Sequence, residues 1–342
     1  MVAALVLLAA VASAEPAPAH ADPPPTAPAA PAAPAGSGED GLIDRSHAFV
    51  SQHLVDSVAW FDQLFADERN ADFQRNGSSV RVQLELKPDT TGAVTPRFGL
   101  HLDLALPGLE GWFDSLRLVV YARSLTNEAV APPEDPAAPL AAPDASGGRA
   151  TAELRYEVLN LLFSHVDVGA GLRGDVPPAA FLRTRWRSTV PIGLGSLGRF
   201  TLAGFYDSAL RFGTLGEATF ERPFGRRFLL RLANVASVSE ARSFLGFEWR
   251  SEASFTWAPG ATRAWRIGAG ATGVTRPFFE ENLSRVFASH RRDVWRRWLF
   301  FEIEPDVEWQ RDIVTGARRT VYGIAFRTEI YFDGTYALAP AR

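Results

Sequence analysis

Residues 298–332 constrain the fold more than any other stretch. Leu299, Phe301, Ile303, Pro305, Val307 and Trp309 take one parity, and Phe300, Glu302, Glu304, Asp306 and Glu308 fill the positions between them. After a break at 312–317 the pattern resumes. Tyr322, Ile324, Phe326, Thr328, Ile330 and Phe332 alternate with Gly323, Ala325, Arg327, Glu329 and Tyr331. Side chains alternate faces along a strand, so each run carries one oily face and one polar face. In a soluble sheet the oily face packs on a core. Here most other segments show the same alternation, so nothing is left over to cover it. A closed barrel solves the problem, with the oily face towards lipid and the charged face lining a lumen.

Composition narrows the alternatives. Past residues 2–11 no run of 18 apolar residues occurs among the 342, so a helical membrane span is excluded and any crossing must be made by strands. The formal charge of −4 gives no reason to expect nucleic acid as a partner. The chain has no cysteine, which removes disulfides, thiolate metal sites and thiol nucleophiles. Lys87 is the only lysine.

Residues 2–11 are apolar and Ala12-Ser13-Ala14 has the small-x-small pattern of a cleavage site, so 1–14 reads as a secretory signal peptide. Residues 15–43 are rich in Pro and Ala and read as an extended, disordered linker. Residues 44–67 form the one clear helix candidate. Val50, Leu54, Val58, Phe61 and Phe65 recur at three- and four-residue steps, and Asp44 stands at the N-cap. A helix closing the periplasmic end, or lying on the inner leaflet with Trp60 at the headgroups, is preferred to a plug in the barrel mouth. His47 and His53 point to different faces of that helix, so they are no metal pair.

From residue 79 to 332 the alternation predicts an antiparallel up-and-down barrel of about 14 strands, with 12 and 16 as the alternatives. The tail at 333–342 follows. Clear strands lie at 80–87, 97–104, 116–120, 152–158, 166–172 and 182–190. Weaker ones lie near 199–207, 216–222, 227–237, 263–275 and 283–290. The run 244–257 is the most telling, because Leu245, Phe247, Trp249, Ala253, Phe255 and Trp257 share a face. Trp249 and Trp257 lie eight residues apart, about 20 Å along the membrane normal at ~3.3 Å per residue and a tilt near 40°. An aromatic girdle of Trp186, Trp249, Trp257, Trp265, Trp309 and Phe332 is expected. An even strand number puts both termini in the periplasm and the long 126–148 stretch outside the cell.

With this pattern in hand, the C-terminal strand resembles those of Gram-negative outer-membrane β-barrel proteins. Phe332 takes the place of their terminal aromatic, with Ile324, Phe326 and Ile330 behind it at alternate positions. The resemblance covers 79–332 as an architecture. It implies outer-membrane lipid as the surroundings and recognition of these four residues by the barrel-insertion machinery. It carries over no functional residue.

Catalytic chemistry is not apparent. Gly-x-Ser-x-Gly is absent, Ser289 and His290 fall on opposite faces of a strand, and no two histidines share a face at ligand spacing. No cofactor, metal site or catalytic group is expected. The charge rows are the main functional signal. Arg183, Arg185 and Arg187 project together into the lumen, as do Glu302, Glu304, Asp306 and Glu308, with Arg327 on the following strand. Such rows either set up a transverse field that orients a polar solute, or form a salt-bridge network that fills the lumen. The function read from this is a passive channel or small-solute transporter. The alternatives are a closed scaffold barrel that engages a partner through loops or the helix, and a lipid-active hydrolase.

Overall fold

A computed structural model describes residues 78–106, 116–125, 147–161, 163–174, 178–193, 195–260, 262–294, 296–311 and 315–333. The signal segment, the Pro/Ala stretch, the 44–67 segment, most of the 126–148 stretch and residues 334–342 lie outside them.

Fourteen strands close into one barrel. In chain order they are β1 Ser79–Pro88, β2 Val94–Ala105, β3 Leu116–Leu125, β4 Gly147–Leu161, β5 Ser164–Arg173, β6 Ala179–Pro191 and β7 Leu197–Asp207. They continue as β8 Arg211–Phe224, β9 Phe228–Ser239, β10 Glu248–Gly260, β11 Arg263–Val274, β12 Glu280–Val294, β13 Arg296–Arg311 and β14 Arg318–Asp333. Each strand pairs antiparallel with its sequence neighbours, and β14 closes on β1 with Val80 opposite Phe332 and Leu86 opposite Phe326. The up-and-down barrel expected from the alternation is what forms. Closure pairs every strand on both sides, so no open edge remains.

The barrel is inside out. On β10, Phe255 and Trp257 face outward and are 38% and 41% exposed, while Arg250 and Thr256 face inward and are 6% and 4% exposed. Leu84, Leu86, Leu172, Leu182, Leu202 and Ile267 repeat the outward half of this pattern. Glu85, Asp167, Arg183, Glu221 and Glu302 repeat the inward half. An exterior of this kind is stable in a lipid surround, where apolar surface is not penalised, and not in water.

Three local features depart from the expected boundaries. Residues 244–247 do not begin β10. Glu240–Leu245 instead forms a short 3-10 turn, and Gly246 follows with φ +69°. That left-handed residue ends any extension from the turn into the strand. The N–H groups of Thr275 and Arg276 donate to the Leu245 carbonyl at 3.2 and 3.0 Å, which zips the β9–β10 and β11–β12 connections together. Leu245 and Phe247 therefore lie outside the strand face assigned to them. Gly147 and Gly148 belong to β4, paired with Leu125 and Ser124. Asp333 is the last residue of β14 rather than the first of the tail.

Candidate functional site

The lumen wall is built from the inward half of each alternation. Arg183, Arg185 and Arg187 all point inward from β6, and Glu302, Glu304, Asp306 and Glu308 all point inward from β13. In a ring of fourteen, β6 and β13 are seven strands apart in either direction, so the two rows face each other across the lumen.

Each row meets opposite charge along its own wall. Glu302 accepts from Arg327 at 2.8 Å and lies 3.4 Å from Arg291 and 3.8 Å from Arg266. Glu304 meets Arg327 at 2.9 Å, Arg266 at 3.5 Å, and Arg285. Asp306 is bridged by Lys87 at 2.8 Å and Arg285 at 3.2 Å, and Glu308 by Lys87 at 2.6 Å. Arg327 also pairs with Glu85, which Arg97 joins from β2. The closing seam between β14 and β1 is thus stitched by ions as well as by backbone hydrogen bonds. Towards one end, Arg291 bridges Glu329 at 2.7 Å, Tyr331 donates to Glu329 at 2.8 Å, and the Arg291 guanidinium lies over the Phe300 ring.

On the opposite wall Arg183 donates to Glu153 at 2.7 Å from Nε. Arg185 and Arg187 meet Asp167 at 3.1 and 2.9 Å. Arg155 lies between the two carboxylates, 3.5 Å from Glu153 and 3.9 Å from Asp167. Four guanidinium groups here gather round two carboxylates. Arg173 pairs with Asp207 at 2.8 Å beside it.

Several of these pairs skip a strand, and in two cases a glycine on the strand between makes room. Glu153 on β4 reaches Arg183 on β6 by lying across β5 at Gly169. A Cβ there would stand 2.8 Å from the Glu153 Cδ. Lys87 on β1 reaches Asp306 on β13 across β14 at Gly323, where a Cβ would stand 2.7 Å from both the Lys87 Cε and an Asp306 oxygen. Ladder strands are ~4.8 Å apart, so a two-strand span of ~10 Å needs both side chains laid flat on the wall. Any side chain at these glycines would lift them off.

The ion pairs described here join side chains on one strand or on strands one or two apart, so they run round the wall and do not cross the lumen. Some members are nearly dry, with Glu304 and Arg291 each 1% exposed, while Arg266 and Arg285 keep about a fifth of their side-chain surface. Both halves of the two readings therefore have a structural counterpart. The rows oppose each other as a transverse field requires, and each is locally paired as a network requires.

The girdle residues face outward. Trp257 and Trp265 stand opposite each other across the β10–β11 ladder, and Trp265 stacks on His290 with ring centroids 3.9 Å apart. Trp249 stacks on Phe279 at 5.0 Å, eight residues along β10 from Trp257. Trp186 donates to Ser164 at 2.7 Å, and Trp309 and Phe332 are exposed on β13 and β14. Ile324, Phe326 and Ile330 share the outward face with Phe332. Ser289 points inward, opposite to His290. Among the described residues no group of three His, Cys, Asp or Glu is placed to hold a metal.

The sequence missed several members of the wall, notably Arg285 and Arg291 on a run with little visible pattern. Counter-charge was the available signal, since a buried acidic row requires bases on the strands beside it.

No family model and no curated protein matches the chain. Solved structures resemble it at low identity. The loop-L8 deletion form of OmpT, an outer membrane protein of Vibrio cholerae, superposes with a TM-score of 0.45 at 10% identity, covering 75% of this chain and 98% of that one. The outer membrane channel DcaP of Acinetobacter baumannii gives 0.43 at 7% identity, over 76% and 99%. OccK11 of Pseudomonas aeruginosa gives 0.42 at 8% identity, over 75% and 95%.

Proposed function

We propose that this barrel is an outer-membrane channel for small polar solutes. One observation carries the reading: an arginine row and an acidic row stand diametrically opposed across the lumen. A solute bearing both charges, or a strong dipole, would be oriented between them as it passes. The outer-membrane setting rests on the barrel's oily exterior and on a leading segment with signal-peptide character. Ile324, Phe326, Ile330 and Phe332 present an outward row on the last strand that suits capture by the insertion machinery. A hydrolase is disfavoured by the divergence of Ser289 and His290.

The test is single-channel recording of the full chain in planar bilayers under a salt gradient. Replacing Glu302, Glu304 and Asp306 together with Gln is expected to move the reversal potential towards anion selectivity. Replacing Arg183, Arg185 and Arg187 with Gln is expected to move it towards cations. Reversal potentials unchanged in both variants would overturn the field reading. A folded protein that never conducts would favour the closed scaffold barrel, which the burial of the charge rows also suits.

A further inference from the structure

We propose that the rim of β8 to β12, at the end where β1 begins and β14 stops, is a binding belt for anionic phospholipids. The argument begins with register. Phe224 pairs with Phe228, Phe228 with Trp257, Trp257 with Trp265 and Trp265 with His290. All share the outward face, so one row of rings crosses β8 to β12. Tryptophan in such a row sits at the headgroup level of a bilayer. Five arginines stand about it. Arg263 and Arg292 are two residues nearer the turns than Trp265 and His290, about 5 Å beyond them at ~3.3 Å per residue and a tilt of ~40°. Both are outward and exposed, and they lie directly opposite each other in the β11–β12 ladder. Arg226 and Arg227 are exposed in the turn between β8 and β9. Arg222 starts on the membrane side of Phe224 and snorkels back, its guanidinium 5.1 Å from the centroid of that ring. The rim is held in shape. The Ala258 N–H donates to the Arg227 carbonyl at 2.8 Å, and the Asp293 N–H to the Thr262 carbonyl at 2.9 Å, which ties each turn to the next strand.

Arginines so placed need a counter-charge. Like charges directly opposite across a ladder repel. The lumenal arginine rows have carboxylates beside them, but none of these five meets a carboxylate among the described residues. The acids nearest in sequence, Glu221 and Asp293, take the inward parity. The belt is also one-sided. At the same end the outward positions of β1, β5, β6, β7 and β14 are Val80, Ser164, Ser188, Phe200 and Phe332. A partner for the arginines must therefore come from the membrane at headgroup depth. The phosphate of a phospholipid lies at that depth, and guanidinium forks match its oxygens. Phosphatidylethanolamine also has a phosphate, but its ammonium group would arrive among arginines with no acid to receive it. Phosphatidylglycerol carries no such group, so the belt selects for net negative charge. Arg226 and Arg227 beside β9 and Arg263 on β11 are about two strands apart, ~10 Å, enough for a headgroup at each. The proposal takes from the outer-membrane reading only the side of the membrane: the chain enters and leaves the barrel at this end, so the belt faces the periplasmic leaflet and its phospholipids.

The test counts lipids retained by the full chain. The barrel, released from micelles holding equal amounts of phosphatidylglycerol and phosphatidylethanolamine, would be weighed by native mass spectrometry, with unheated gel mobility reporting that it is folded. Phosphatidylglycerol is expected to be retained at least about fivefold over phosphatidylethanolamine. Replacing Arg226, Arg263 and Arg292 together with Gln is expected to remove most of that preference. Replacing Arg211, Arg276 and Arg318, which are exposed at the opposite end, with Gln makes the same change in net charge and is expected to leave it intact. No preference in the folded parent, or equal loss in the two triple variants, would overturn the proposal. Lipopolysaccharide retained ahead of phosphatidylglycerol would overturn the assignment to the periplasmic leaflet. If the first triple variant does not fold, the parent decides alone. The screening length shortens to ~3 Å at 1 M salt, so the preference should fall towards one there, and a preference indifferent to salt would overturn the belt. None of these readouts requires the protein to conduct, so they stand or fall apart from the channel reading.

Discussion

Gly169→Ala gives the sharpest test of the wall. The added methyl would collide with Glu153 where that side chain crosses β5 to reach Arg183. Glu153 must move, and the pair it makes is buried on both sides, with side chains 1% and 4% exposed. Surface pairs are worth ~0–1 kcal/mol, but leaving one member of a buried pair without its partner costs ~3–5 kcal/mol. The lower end applies, because Glu153 is displaced and not deleted, and Arg155 still has Asp167 within 3.9 Å. A loss of about 3 kcal/mol corresponds to a melting point lower by about 6–12 °C at the ~2–4 °C per kcal/mol typical of chains this size. Gly204→Ala is the control, on an outward position with nothing within 4 Å, and should change stability by less than ~0.5 kcal/mol. Heat-modifiable gel mobility in detergent or lipid vesicles reads both. The mechanism is then isolated by repeating Gly169→Ala in a Glu153→Ala background, where its cost should fall below ~0.5 kcal/mol. An equal cost in both backgrounds would refute the strand-skipping pair as the reason for the glycine.

The remaining predictions follow the same geometry. Gly323→Ala should destabilise the closing seam by about 2–3 kcal/mol by lifting Lys87 off Asp306, measured by the same mobility shift, and Lys87→Met should abolish most of that difference. Gln at Glu302, Glu304 and Asp306 together should lower the melting point by more than ~6 °C, since Arg327, Arg285 and Arg266 all lose partners. Protease added to intact cells should cut within 126–146; cleavage only after the outer membrane is permeabilised would invert the topology. A chain keeping Trp257 as its single tryptophan should be quenched more by bromines near the lipid headgroups than by bromines at mid-chain, and the reverse order would move Trp257 off the rim.

The strands were most legible where the two faces differ most. β10, β13 and β14 put Phe, Ile and Trp outward against Arg and Glu inward, so a period of two stands out. The readings of β7 to β9 were weak because their inward positions include Ala203, Leu215, Ala233 and Val235, which contrast little with an oily exterior. β12 is locally inverted. It puts Phe287 inward beneath Arg285 and Arg266, and His290 outward on Trp265. Periodicity cannot anticipate that exchange, because cation–π stacking and aromatic stacking depend on neighbouring strands. The two charge rows could be read from parity alone. Their pairing could not, since it depends on register between strands far apart in sequence, such as Lys87 with Asp306. Nor do the glycines at 169 and 323 announce themselves, because what requires them lies on the strands to either side. The turn at 240–245 was hidden for a different reason: Phe244 and Phe247 are oily enough to continue a strand pattern that Gly246 interrupts.

The central claim is an inside-out wall, lipid on one face and a charged lumen on the other. A spin-label scan along β10 tests it most directly, one cysteine at a time from 249 to 257 in this cysteine-free chain. The structure predicts a period of two. Labels at 249, 251, 253, 255 and 257 should relax with lipid-dissolved oxygen, and labels at 250, 252, 254 and 256 should not. Oxygen access without alternation, or with the even positions exposed to lipid, would contradict it.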